Sequence, residues 1–380
     1  MKIKQRRYWK DLIEESWKKR SVLWLSGVRR VGKTCLCQSI PEIEYFDCEL
    51  PRHRREMEDP ELFLERYKNR RIVLDEIHRL RNPVELLKIA SDHYPGTKVL
   101  ATGSSTLGAS SRFKDTLAGR KLEIWLTPLI SFDLKDFKME DLAHRLFRGG
   151  LPPFFLDKNY PDWQFQEWLD SFWAKDIQEL FRLEKRFSFQ RFTELLFMQS
   201  GGIFEATKFS VPCEISRTTV NNYLSVLEAT FVVHIIRPFS SRRSSEIVSA
   251  PKVYAFDTGF ISFYKGWKEL RPEDMGILWE HYVLNEIIGR LQRRDVRYWR
   301  DKRHHEVDFI LQKKEKALIA IECKMSADQF DETGMKAFRR AYPDGENLVV
   351  ARDVTRSFSR RYDEMLVEFV GLNQLISHLE

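Results

Sequence analysis

The stretch Val22-Leu-Trp-Leu-Ser26-Gly27-Val-Arg-Arg-Val-Gly32-Lys33-Thr34 decides the first part of the fold. Val22 to Leu25 is an apolar run that reads as a buried strand, and Cys35 to Ile40 can start a helix. Between them stands a complete G-x4-G-K-T. Gly27 and Gly32 let backbone N–H groups curl around an anion, and the helix start adds a partial positive charge. Lys33 is then placed to reach the β- and γ-phosphates of ATP, and the Thr34 hydroxyl to take one position on Mg²⁺. A chance glycine turn would lack this strand-loop-helix context.

Moving outward, Arg71-Ile-Val-Leu-Asp75-Glu76 is a second apolar strand, ending in two carboxylates. Asp75 at a strand's carboxyl end can hold Mg²⁺ through water, and Glu76 is placed to activate the attacking water. Alone, the pair reads as an acidic cap on a helix; beside a phosphate loop the hydrolytic reading wins. A third strand, Lys98 to Ala101, runs into Thr102-Gly-Ser104-Ser105, where hydroxyls sense the γ-phosphate or simply cap a turn. A helical segment from Pro83 to Ser91 precedes it. Strand and helix alternate, which predicts an α/β, doubly wound parallel sheet with its ligand at the strands' carboxyl ends. Arg120 in Leu117-Ala-Gly-Arg120 reads equally as a sensor or finger arginine and as a surface arginine.

The whole chain has 380 residues, 43% hydrophobic and 13% aromatic, enough for two or three cores and too apolar for a disordered protein. No apolar run approaches the ~18 residues of a membrane span, and Met1 to Arg20 holds no continuous apolar stretch. The expectation is therefore no signal peptide and no membrane anchor. Five cysteines, Cys35, Cys37, Cys48, Cys213 and Cys323, form no CxxC pair, which fits a reduced, cytoplasmic chain. Net charge is +7, and Arg290 to Arg303 alone holds seven basic and two acidic residues. Such a run serves phosphate backbones or is a solvated helix end.

From Pro128 to Arg186 the chain turns aromatic and helical, and Trp163, Trp168, Phe172 and Trp173 read as a helix face packed on a core rather than a base-stacking stripe. Further on, a helix near Phe192 to Met198 precedes the Val211-Pro212 break. Ser216 then caps a helix with Val220, Tyr223, Leu224 and Leu227 at i, i+3, i+4, i+7. Strands at Phe231 to Ile236 and Lys252 to Phe256 flank a turn carrying Arg242 and Arg243. Three helices and a hairpin describe a winged helix-turn-helix, with Arg217, Thr218, Asn221 and Asn222 facing outward to read DNA. The same module could instead only dock the ATPase against its neighbour.

The last 120 residues read as a helix from Gly276 to Arg294 carrying Glu280 and strands Val296 to Trp299, Glu306 to Leu311 and Ala317 to Cys323. A helix Asp331 to Tyr342 and a strand Asn347 to Ala351 close the unit. Asp308 lies within the second strand. Glu322 and Lys324, two apart on the third, share a face. Asp308 and Glu322 can chelate Mg²⁺ while Lys324 orients the nucleophile, and Glu280 would complete the metal shell. The plainer reading is salt bridging at strand ends. His281, His304 and His305 show no zinc-ligand spacing.

GVRRVGKT, IVLDEIH, ATGSS, LAGR, RGGLPPFF, PKVYAFDTGF, EVDFIL and IECK occur here in the order found in a family. On these motifs nearly the whole chain resembles predicted prokaryotic AAA-type ATPases of the AAA+ superfamily. Their carboxyl-terminal half is a domain of unknown function, and it looks like a PD-(D/E)xK, restriction-endonuclease-like fold. The resemblance implies ATPase roles for Lys33, Thr34, Asp75 and Glu76, and nuclease-like roles for Glu280, Asp308, Glu322 and Lys324. One departure is Val307, where the fuller motif has proline before the aspartate. The expected organisation is a P-loop domain over 1–130, a helical lid over 131–186, a winged helix over 187–256 and a nuclease-like domain over 257–380. The expected ligands are ATP, Mg²⁺ and nucleic acid, DNA favoured, with a homo-oligomer among the expected assemblies. A nucleotide-controlled switch or scaffold that binds without cutting is the alternative.

Overall fold

The structure, a computed structural model, describes residues 5–103, 111–159, 162–178, 181, 183, 185–240, 250–313 and 317–379. Ser104, Ser105, Arg242 and Arg243 lie outside the described residues. The chain divides into two compact units. The first comprises Met1–Asp141, Gly150–Glu184 and Ala229–Val232; the second comprises Leu142–Gly149, Lys185–Glu228 and Val233–Glu380. The expected helical lid, 131–186, is thus shared between them.

In the first unit, β1 (Val22–Ser26), β2 (Glu44–Asp47), β3 (Arg71–Asp75), β4 (Lys98–Thr102) and β5 (Lys121–Trp125) form one sheet in the order β2-β3-β4-β1-β5. Every neighbouring pair is parallel, as the strand-helix alternation predicts. β1 is buried along its whole length, the mark of a strand covered on both faces. Trp24, Phe46, Phe63, Leu74 and Val99 meet in one core cluster. The sequence reading identified β1, β3 and β4 from their apolar runs. It passed over β2 and β5, whose Glu-Tyr-Phe-Asp and Lys-Leu-Glu-Ile-Trp strings mix charge with apolar residues.

The helix Asp162–Phe172 continues into a π-helical turn, Trp173–Gln178. Trp168 and Phe172 are buried and stack at 5.1 Å, so this face packs on a core as expected. Trp163 does not join them and is 67% exposed. Five residues from Trp168, it points well around the helix from that face.

The second unit is built on an eight-stranded sheet, β12-β13-β11-β10-β9-β8-β6-β7. Its strands are β6 (Val233–Pro238), β7 (Lys252–Ala255), β8 (Arg297–Arg300), β9 (Glu306–Gln312), β10 (Leu318–Lys324), β11 (Gly345–Ala351), β12 (Phe358–Tyr362) and β13 (Met365–Val370). The helices Arg186–Met198, Ala206–Ser210 and Arg217–Ala229 precede β6. Ser216 accepts from the Thr219 N–H at 3.1 Å, the cap read from sequence. Arg217, Thr218, Asn221 and Asn222 are all exposed. β6 and β7 do pair as an antiparallel hairpin. Yet the hairpin is no free wing, because β6 also pairs in parallel with β8 through Arg237↔Arg297 and Pro238↔Tyr298.

The helix Pro272–Leu291 opens with Pro272, Glu273 and Asp274, a first turn suited to the positive helix start, and Arg271 pairs with Asp274 at 2.8 Å. It starts four residues earlier than the sequence reading, so Glu280 falls in its third turn rather than near its start.

Candidate functional site

The nucleotide-type site is assembled at the carboxyl end of β1. Gly32 adopts φ 101° just before the helix Lys33–Gln38, a conformation that L side chains rarely adopt. A Cβ at Gly27 would lie 2.5 Å from the Leu126 carbonyl oxygen, so the loop enters through a gap only glycine fits. Beneath the loop, buried Arg6 donates to the Val31 carbonyl at 3.0 Å and to Thr127 O at 3.0 Å, while its guanidinium is held by Asp133 at 2.6 Å. Lys33 Nζ turns back to the carbonyls of Gly27 and Val28, at 2.8 and 3.3 Å. Burial lowers its pKa, against the raising pull of Glu76, Asp176 and Asp75.

Asp75 ends β3 with its carboxylate enclosed by hydroxyls. Thr34 donates to Oδ2 at 2.8 Å, Tyr45 donates to Oδ2 at 2.5 Å, and Thr102 donates to Oδ1. Thr102 also accepts from the Glu76 N–H at 3.1 Å, so one β4 side chain fixes both acidic residues. Glu76 sits in the left-handed region, φ 54°, with its carboxylate 3.2 Å from His78 Nδ1. Burial works to raise this carboxyl, but the His78 hydrogen bond and the Lys33 charge hold it below its usual range. The hydroxyl of Thr34 and the carboxylate of Asp75 are oxygen donors suited to a hard cation such as Mg²⁺.

Gly27, Gly32, Lys33, Thr34 and Glu76 line one cleft of about 840 Å³. The cleft is also lined by Phe137, Pro152, Leu156, Phe172 and Asp176, all in the same unit. Arg120 is elsewhere. It precedes β5, whose start pairs with the start of β1 (Val22↔Lys121), so it lies at the sheet's other end and pairs with Asp92 at 2.7 Å. Among the arginines that do line the cleft is Arg29, paired with Asp176 at 3.1 Å. The sequence reading assigned no role to Arg29, Asp176 or Tyr45, and it named Thr102 only within the string of hydroxyl residues after the third strand.

The second cluster lies in the second unit. β9 and β10 run antiparallel with Phe309 opposite Ile321, which carries Asp308 to Glu322. Asp308 Oδ2 accepts from the Cys323 N–H at 2.8 Å, and Lys324 donates to Glu322 at 2.9 Å. From the helix Pro272–Leu291, Glu280 accepts from the Tyr254 hydroxyl at 2.5 Å. Burial and then the Asp308 charge push Glu280 up to about 7, against the pull of Lys252. The same two causes, in that order, push Glu322 well above its usual range. The four residues read from sequence therefore gather in one electrostatic neighbourhood.

Lys252 was not foreseen. Its buried ammonium stands 2.5 Å from Glu306 and 3.7 Å from Glu280. Among the described residues no three His, Cys, Asp or Glu are grouped to hold a metal ion. In the arrangement seen here the carboxylates of the cluster are offset by Lys252 and Lys324. His281, His304 and His305 bond to Ser200, Arg300 and Asp301 respectively.

Residues 19–134 match the family model of an AAA domain. The first unit carries a P-loop AAA-type domain. Residues 139–271 match a Domain of unknown function (DUF8612), and 275–372 another Domain of unknown function (DUF4143). An uncharacterized protein of Mycobacterium tuberculosis is 26% identical over 303 residues, covering 77% of this chain and 67% of that protein. An uncharacterized protein of Mycobacterium bovis matches to the same extent. Among solved structures, a Walker-type ATPase of Pyrococcus abyssi is similar at TM-score 0.45 and 15% identity, over 68% of this chain and 95% of that one. A signal transduction ATPase of the STAND type from Pyrococcus horikoshii, with a tetratricopeptide repeat sensor, follows at 0.29 and 12%, over 73% and 44%. Likenesses this loose say nothing about what is bound. No helix among the described residues is long and apolar enough to cross a membrane.

Proposed function

We propose that the chain binds and hydrolyses ATP in the cleft of its AAA-type domain and that its second unit engages DNA. The observation that carries the ATPase reading is the Thr34–Asp75 hydrogen bond of 2.8 Å, with Lys33 and Glu76 lining the same cleft. In this reading Lys33 leaves the Gly27 carbonyl for the phosphates, and loop N–H groups hold their oxygens. Phe137, Pro152 and Leu156 supply an apolar wall for the base. Mg²⁺, held by Thr34 and by Asp75, would neutralise charge between the β- and γ-phosphates. Glu76, kept ionised near neutral pH, orients and deprotonates the attacking water.

DNA engagement is supported by the exposed Arg217, Thr218, Asn221 and Asn222 and by the basic run from Arg290 to Arg303. Phosphodiester cleavage is supported by the gathering of Glu280, Asp308, Glu322 and Lys324. The second reading, a nucleotide-controlled switch that binds without cutting, is favoured by one observation: Lys252, 3.7 Å from Glu280 and 2.5 Å from Glu306, already supplies positive charge to the carboxylates.

The test is Mg²⁺-dependent cleavage of labelled single-stranded, duplex and branched DNA, with and without ATP, beside Glu322→Ala and Lys33→Ala. Cleavage that disappears in Glu322→Ala while ATP turnover persists marks an ATP-coupled nuclease. Intact turnover with no cleavage of any substrate selects the switch. Absence of turnover in the unaltered chain sinks both readings.

A further inference from the structure

The middle of the phosphate loop is held from outside its own motif. Three side chains reach it from the helix Asp162–Phe172 and the π-helical turn that follows. Trp168 Nε1 donates to the Arg29 carbonyl at 3.1 Å, Glu167 pairs with Arg30 at 2.6 Å, and Asp176 pairs with Arg29 at 3.1 Å. Glu167 is about half exposed, and pairs of that kind contribute little. The Arg29–Asp176 pair differs: its side chains are 26% and 20% exposed, and both line the nucleotide cleft. Asp176 lies in the π-helical turn, a local departure from regular helix of the kind often found at functional positions.

Asp176 places an anion inside a cleft built to receive anions. Burial raises its carboxyl, while Arg29 and Lys33 draw it down; Lys33 in turn responds to Asp176. The two cations nearest this carboxylate are thus the lysine assigned to the phosphates and an arginine that no motif assigns.

We propose that Arg29 binds the terminal phosphate of a nucleoside triphosphate, and that Asp176 is the positioning residue that holds Arg29 while the loop is empty. A terminal phosphate offers a planar guanidinium paired, charge-assisted hydrogen bonds, so it competes directly with the carboxylate. It also brings negative charge towards Asp176, which repels it. Triphosphate binding therefore exchanges the Arg29–Asp176 pair for an Arg29–phosphate pair and releases the π-helical turn from the loop. A diphosphate, lacking the competing group, leaves the pair in place. A ligand shifts such an equilibrium only by its differential affinity for the two states, so the device distinguishes triphosphate from diphosphate.

This inference rests on the ATPase reading, and its test separates the two. Isothermal titration of the full chain with Mg²⁺ and either ADP or a non-hydrolysable ATP analogue gives the affinity ratio between them. Arg29→Ala should weaken the analogue about tenfold, the loss of one charge-assisted contact, and ADP less than about twofold. Asp176→Asn, nearly isosteric, should tighten the analogue by several-fold, and that gain should vanish in the Arg29→Ala background. Arg29→Lys should fall between Arg29→Ala and the unaltered chain, because it keeps the charge without the fork. Equal losses for both nucleotides, or weakening by Asp176→Asn in both backgrounds, would overturn the Arg29–Asp176 exchange while leaving the ATPase reading standing. An unaltered chain that binds neither nucleotide overturns the ATPase reading itself.

Discussion

At the scale of single residues, the two neighbouring acids of the cleft are kept in different surroundings. Asp75 is surrounded by the hydroxyls of Thr34, Tyr45 and Thr102, and is an acceptor at both oxygens. Glu76 has no such cage; its backbone is pinned by Thr102, and its carboxylate is 35% exposed toward the cleft. In the proposed ATPase reading Asp75 would bind the metal and Glu76 would act on the attacking water. Glu76→Gln should therefore keep nucleotide affinity while slowing phosphate release about 10²–10⁴-fold, the range for losing a positioned general base. Single-turnover phosphate release beside equilibrium nucleotide binding checks it, and a matching loss of affinity would assign Glu76 to binding. Lys33, Thr34, Asp75 and Glu76 were legible in the sequence because loop chemistry binds them to short, contiguous strings. Asp176 was not, since an aspartate in an aromatic helix gains meaning only from where its turn is placed.

At the scale of elements, the phosphate loop depends on a charge pair well separated from it in sequence. Asp133 accepts from Arg6, from the Trp9 indole at 3.2 Å and from the Ile130 N–H at 2.9 Å, and both members of the Arg6–Asp133 pair are buried. Arg6 passes that order on to the Val31 carbonyl. Removing one member of such a pair leaves the other charged, buried and unpaired. Asp133→Ala should cost roughly 3–5 kcal/mol in urea unfolding, far beyond an exposed substitution. A loss under about 1 kcal/mol would show that solvent reaches Arg6. The strands β1, β3 and β4 could be read from sequence because strands buried on both faces are almost continuously apolar. The edge strands β2 and β5 could not, as each exposes enough surface to carry charge.

At the scale of the whole molecule, the basic run from Arg290 to Arg303 spans the end of a helix, β8 and the turn after it. If it meets a DNA backbone, binding must release counterions. Affinity for duplex DNA should then fall linearly with salt on logarithmic axes, and replacing Arg300 and Arg303 with alanine should lower the slope by about 2. Fluorescence anisotropy across a salt series reads this directly; an unchanged slope removes the run from the interface. The helices and hairpin of the second unit were also legible, as separate elements. What periodicity did not reveal was that the hairpin joins a larger sheet, because strand pairing across 60 residues is fixed by neighbours rather than by local pattern.

That junction has a consequence for heredity. The border between the two matched regions of unknown function falls between residues 271 and 275, yet β6 on one side of it pairs with β8 on the other. Phe239 donates its N–H to Tyr298 O at 2.5 Å and sets its ring against Phe338 and Tyr342, again across the border. A recombination event that exchanged one region alone would leave an open strand edge and an unfilled aromatic socket, both hazards for a folding chain. The two regions should therefore pass between genomes as a single block, whatever their separate descriptions suggest.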